Sequence, residues 1–127
     1  MSNEAAVKEI DLVHEYMTVG FRDGKTSLIV DDFYTPDAWV VGGDDYTWRG
    51  TQQLTELYDG IVGKYVWTMK REALTFLSDT SAIEFIIGKI EPHDDSETLI
   101  YKIQLSWQNT ESGWKCVAQF FAFGTKF

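Results

Sequence analysis

Residues 65–77 read YVWTMKREALTFL, and the point at which their apolar side chains change face decides the architecture. Side chains alternate between the two faces of a strand, so Tyr65, Trp67 and Met69 lie together, whereas Leu74 and Phe76 have the opposite parity. One extra residue near Arg71-Glu72 restores a single apolar face, and a bulge of that kind bends its strand. A bent sheet wraps something. Downstream the same period of two continues in segments at about 80 to 91, 97 to 109 and 113 to 123, separated by Ser78-Asp79, Pro92-His93-Asp94-Asp95 and Glu111-Ser112-Gly113. Four antiparallel strands in a meander are expected.

Upstream the period is helical. Leu54, Leu57, Tyr58 and Ile61 repeat at i, i+3, i+4 and i+7, an amphipathic helix closing at Gly63. Before it, DAWVVGGDDYTWRG (37–50) reads as a β-hairpin around Gly-Gly-Asp-Asp. Thr26 or Ser27 can cap a short helix running through Tyr34 and stopped by Thr35-Pro36-Asp37. From Glu4 to Arg22 the polar residues fall in one narrow arc. Ala6, Ile10, Val13 and Met17 centre the apolar side, flanked by His14 and Phe21 on one edge and Leu12, Tyr16 and Val19 on the other. A helix this broadly apolar needs cover on more than one side. With no repeat or linker in 1–127, the reading is one α+β domain, three helices gathered on one side of a curved antiparallel sheet.

Composition sets limits on partners. Of 127 residues 44% are hydrophobic, enough for one core, and 11 Lys plus Arg against 20 Asp plus Glu give a formal charge of −9. Such a balance repels phosphate backbones and anionic lipid heads, so neither nucleic acid nor membrane is expected as a partner. No apolar run approaches the roughly 20 residues of a membrane span, and the N-terminal stretch lacks the basic start and apolar core of a secretory signal. Cys116 is the only cysteine. A cytoplasmic, reducing setting is the expectation. The charge is uneven: residues 1–63 hold 12 acids and 4 bases, residues 64–127 hold 8 and 7. The second half is nearly neutral, which suits a sheet covered on both faces.

The order helix, helix, hairpin, helix, four long strands resembles the nuclear transport factor 2-like superfamily, which includes the SnoaL-like polyketide cyclases and the ketosteroid isomerases. The residues that carry the resemblance are FRDGKTSLIVDDFYTPDAWVV (21–41), YTWRGTQQLTELY (46–58) and WQNTESGWKCVAQFF (107–121). It implies a cone whose sheet curls round the long first helix and leaves a pocket at the open end. It also implies roles for particular residues. Aligned through HEYMTVGFRDG (14–24), the isomerases' oxyanion-donating tyrosine is Tyr16. Their general-base aspartate falls on Gly42, with Asp44 two positions on and pointing the same way in a regular strand. Their second donor falls on Gln104, and the last-strand histidines of SnoaL-like sequences are replaced by Ala118, Phe120 and Ala122.

Each candidate has a plainer reading. Tyr16 fits a core tyrosine as well as a pocket donor, and Asp44 beside Asp45 fits turn chemistry as well as a base. Gln104 shares its strand face with Lys102, Ser106 and Gln108, a solvent-facing row, whereas the resemblance turns it inward. The row Leu99, Tyr101, Ile103, Leu105, Trp107 then lies outside, under a second subunit. Gln119 is read as sharing its face with Val117 and Phe121 and completing a polar patch in an apolar pocket. Glu84 in SAIEFIIGKI is an acid or base if buried, and the preferred reading is an outer-face partner of Lys70 or Lys102. His14 reads as a satisfied core histidine and His93 as solvated. No metal-ligand spacing occurs, and no cofactor is called for. The chain thus reads as a homodimer. Its pocket takes a small apolar molecule with oxygen groups, using Tyr16, Gln104 and Gln119 as donors and Trp39, Trp67, Phe85 and Phe121 as walls. If catalytic, the reaction is cofactor-free proton transfer beside a carbonyl, as in an isomerase, cyclase or dehydratase, with Asp44 as base. The alternative is a non-enzymatic dimerisation or ligand-carrying module whose interior is plugged.

Overall fold

The change of parity in the 65–77 segment is resolved by a single inserted residue. In the computed structural model, which describes residues 3–127, the elements run α1 (Glu4–Asp23), α2 (Thr26–Asp32), β1 (Tyr34–Val41), β2 (Thr47–Arg49), α3 (Gly50–Asp59), β3 (Tyr65–Phe76), β4 (Ser81–Pro92), β5 (Leu99–Thr110) and β6 (Gly113–Phe123). Arg71 pairs with Ile86 and Ala73 with Phe85, so Glu72 is the bulged residue. Leu74 and Phe76 thereby return to the inner face alongside Trp67 and Met69, where they pack on the core. A second irregularity lies in β6, where Ser106 pairs with Ala118 but Trp107 with Cys116, leaving Val117 over. Trp114 and Cys116 before it, and Gln119 and Phe121 after it, all face inward as a result.

The six strands form one sheet in the order β2-β1-β6-β5-β4-β3. It is not wholly antiparallel, because β1 lies parallel to β6. The three helices form, with two boundaries corrected: α3 ends at Asp59 rather than Gly63, and Tyr34 opens β1 rather than ending α2. Pro36 two residues on favours extended backbone before it. The hairpin turn holds Asp44 and Asp45 at φ 59° and 68°, a left-handed pair that acidic turn residues tolerate. None of the described helices is long and apolar enough to cross a membrane.

α1 buries Ile10, Val13, His14, Met17 and Phe21 against the concave face, and Gly24 at φ 67° ends it. Its cover is narrower than expected: Leu12 is exposed, and Tyr16 and Val19 are only half-buried. On β5 the row Ile103, Leu105, Trp107 is inside, at 3%, 1% and 1% exposure, which reverses the face that the resemblance assigned to it. Gly88 of β4 sits beneath the Trp67 ring, and a Cβ there would meet Ile103 Cδ1 at 2.8 Å. Trp67 in turn stacks on Phe21 at 5.8 Å between ring centres, joining α1 to the bent strand. Gly88→Val therefore overpacks this joint. Urea denaturation should show a loss of about 1–3 kcal/mol, with a lower midpoint and an unchanged slope.

Candidate functional site

Between α1, α3 and the concave face lies a cavity of about 240 Å³. Its depth is walled by buried apolar side chains, among them Met17, Phe21, Phe33, Ile86, Ile103 and Leu105. Its rim is the half-buried set Trp48, Leu57, Ile61, Tyr65, Leu99, Tyr101 and Phe121. Trp48 and Phe121 stack at 6.3 Å, and Tyr101 stands edge-on to Phe121 at 5.4 Å, so three rings brace one side of the opening. For scale, about 150 Å³ holds a benzene ring.

The polar side chains of the lining are Gln119 and the tyrosines Tyr58, Tyr65 and Tyr101, and two of them join a buried hydrogen-bonded trio. The Tyr34 hydroxyl donates to Gln119 Oε1 at 2.6 Å, and the Tyr58 and Tyr34 hydroxyls are 2.6 Å apart. An amide oxygen only accepts, so Tyr34 spends its one proton on Gln119 and Tyr58 donates to Tyr34. Burial pushes the Tyr34 phenol well above its usual value, helped by nearby Tyr58 and Cys116, and burial likewise raises Tyr58. Both remain neutral phenols. Tyr58 and Gln119 reach the cavity wall, while Tyr34 is sealed behind them. Tyr34 and Tyr58 escaped the sequence reading. Tyr58 looked like one apolar position of α3 and Tyr34 like a helix end, and only the fold puts them together.

Of the expected site residues, Gln119, Trp67 and Phe121 line the cavity. Tyr16 does not, and its hydroxyl makes no hydrogen bond among the described residues; it flanks α1 instead of facing the hollow. Asp44 is exposed at the hairpin turn, because its left-handed backbone ends the strand regularity that would have aimed it inward. Gln104 is on the outer face, paired with Phe85 and Phe120, and Phe85 and Trp39 are outer-face residues too. Trp39 lies under the Arg49 guanidinium at 4.5 Å. The position where the resemblance put a general base is closed sterically: a Cβ on Gly42 would meet Phe121 Cζ at 2.5 Å.

Below the cavity floor is a charged network. Glu84 faces inward with no exposed surface, against the outer-face reading. Its Oε1 accepts from His14 Nε2 at 2.7 Å and Trp107 Nε1 at 2.9 Å, and its Oε2 accepts from Arg71 Nε at 2.5 Å. Arg71 continues to Asp11 at 2.6 Å. Burial raises the Glu84 pKa, but His14 and Arg71 outweigh it and hold the carboxyl below its ordinary value. A carboxylate takes no part as donor, so His14 Nε2 donates in this contact, and Nδ1 is buried without a partner among the described residues. His14 is thus a core histidine satisfied on one side only. Phe33 is the partition: it lines the cavity and packs edge-on to His14 at 5.8 Å and Trp107 at 5.2 Å. His93 is exposed, as read. Among the described residues no three His, Cys, Asp or Glu side chains cluster closely enough to hold a metal ion.

No protein-family model matches the sequence, and no curated protein matches it. Solved structures match its fold. A domain of unknown function with a cystatin-like fold from Nostoc punctiforme superposes with a TM-score of 0.82 at 11% identity, covering 99% of this chain and 82% of that one. A ketosteroid isomerase-like protein from Erwinia carotovora gives 0.75 at 12%, covering 98% of each chain. A candidate dehydratase of the nuclear transport factor 2-like family from Streptomyces avermitilis gives 0.74 at 13%, covering 98% and 100%.

The depressed Glu84 pKa has a signed consequence. Its stabilising share is complete above the free-carboxyl value of 4.5 and disappears as pH falls through the lower folded value. Glu84→Gln should cost about 3 kcal/mol at neutral pH. It should also flatten the loss of stability on acidification, measured as urea midpoint against pH.

Proposed function

Since the chain has the nuclear transport factor 2-like fold, we propose that its cone binds a small, largely apolar molecule whose single polar group meets Tyr58 and Gln119, without turning it over. The observation that carries this reading is the chemistry of the wall. A cavity of about 240 Å³ presents aliphatic and aromatic surface, three tyrosines and one amide, and among the described residues no carboxylate, imidazole or amine lines it. Proton transfer beside a carbonyl needs a base within hydrogen-bond reach of the reacting carbon. The carboxylate in the core, Glu84, lies behind Phe33 and is committed to three donors. Asp44 is out on the turn, and Gly42 has no room for a side chain. Isomerase-like and dehydratase-like neighbours therefore lend this chain a container more than a mechanism.

Apolar guests should raise the protein's stability by about 2.7 kcal/mol at a hundredfold excess over their Kd. Leu99→Trp, which fills the rim, should abolish that gain in thermal unfolding scans, and Tyr16→Phe should leave it intact. Equal gains in wild type and Leu99→Trp would place the guest elsewhere.

The homodimer is proposed on a revised ground. The outer face of the sheet carries Trp39 and Phe120 on the adjacent strands β1 and β6 and Phe85 on β4, beyond Gln104 of β5, at 42%, 53% and 37% exposure, an aromatic surface that a second copy would cover. Sedimentation at micromolar concentration should give a dimer for wild type and a folded monomer for Phe120→Glu.

A further inference from the structure

The trio at the cavity wall is a hydrogen-bond chain with a fixed parity. Tyr58, Tyr34 and Gln119 are joined by two links of 2.6 Å, both centred on the Tyr34 oxygen. A phenol has one proton, so in each arrangement of the chain it passes that proton one way only. With Tyr34 donating to Gln119 Oε1, Tyr58 must donate to Tyr34. The ends turned to the cavity are then an acceptor, the Tyr58 oxygen, and a donor, the Gln119 N–H₂, which has no partner among the described residues. If the Gln119 amide rotates so that its nitrogen donates to Tyr34, the chain reverses. Tyr34 donates to Tyr58, Tyr58 offers its proton to the cavity, and Gln119 offers its oxygen. Either way one end gives and the other takes. The two ends lie on the same wall, the Tyr58 oxygen and Gln119 Oε1 each within one hydrogen bond of the Tyr34 oxygen.

We propose that this chain selects guests whose polar group carries a donor and an acceptor side by side, a neutral carboxamide or lactam, over ketones and carboxylates of the same shape. This rests on the cavity reading given above and narrows its ligand class. A ketone satisfies one end and leaves the other facing an apolar space, where an unmade hydrogen bond is costly. A carboxylate presents two acceptors to a pair that can donate from one end only. It also brings a charge into a wall that offers no cation. Tyr34 acts without touching the guest, since it lies behind the wall. It is a positioning residue, and losing its hydroxyl frees both ends to donate.

The test is isothermal titration calorimetry at neutral pH with three matched probes: 2-naphthamide, 2-acetonaphthone and 2-naphthoate. Wild type should bind the amide at least fivefold more tightly than the ketone and the carboxylate. In Tyr34→Phe the amide's advantage over the ketone should fall at least threefold, because the ketone now meets two donors. A wild-type preference below fivefold, or one that a folded Tyr34→Phe retains, overturns the parity proposal while the cavity reading stands. Heat from none of the three overturns both. Should Tyr34→Phe not fold, Tyr58→Phe, which removes one end of the chain, must lower the same ratio or the proposal fails.

Discussion

A single ionised carboxylate, Glu84, is held in the middle of an apolar core, and the surrounding structure is arranged to make that tolerable. Withdrawing a carboxylate from water costs several kcal/mol even after relaxation. Three hydrogen bonds to a charged acceptor, at about 1.5–3 kcal/mol each, are enough to offset it. Their donors come from three different elements: His14 from α1, Arg71 from β3 and Trp107 from β5. Satisfying the charge therefore fixes where the helix sits on the sheet. It also explains the bulge, because Arg71 must face inward at the same time as Leu74 and Phe76, and only an inserted Glu72 permits both.

The same arrangement divides the interior into two compartments. Below Phe33 lie the charge and its donors; above it the wall is mostly apolar, its polar side chains being Gln119 and the tyrosines Tyr58, Tyr65 and Tyr101. Titratable chemistry is thereby kept from the space where a guest would lie. The floor is pinned by charge-assisted bonds, the depth by Trp67 stacked on Phe21 and the rim by Trp48 stacked on Phe121.

What could be read from the residues follows from the range of the interactions. The bulge near Glu72 was legible because parity along one strand is local information, and so were the three helices and the four long strands. The parallel pairing of β1 with β6 was not, since it depends on how the two ends of the chain meet. Gln119, Trp67 and Phe121 do lie on the cavity wall, where face and residue kind had put them. Tyr16, Asp44, Gln104, Trp39 and Phe85 were misplaced, because each was assigned by alignment to a pattern or by an assumption of regular strand that a turn or a face reversal broke. Glu84 was misread for a different reason. A charge on an apolar strand suggests the outside until its partners, 13, 23 and 70 residues away, are known.

On the proposed reading of binding without turnover, the Gly42–Phe121 contact is what puts a wall where a base would have to stand. A base at position 42 would have to occupy the volume filled by the Phe121 ring. That ring is in turn braced by Trp48 and Tyr101, so it cannot move aside without opening the rim. Restoring a carboxylate there would thus require at least two coordinated changes, a side chain at 42 and a smaller residue at 121, with loss of the wall that closes over a guest. The wall and the base compete for one space, and in this chain the aromatic ring occupies it.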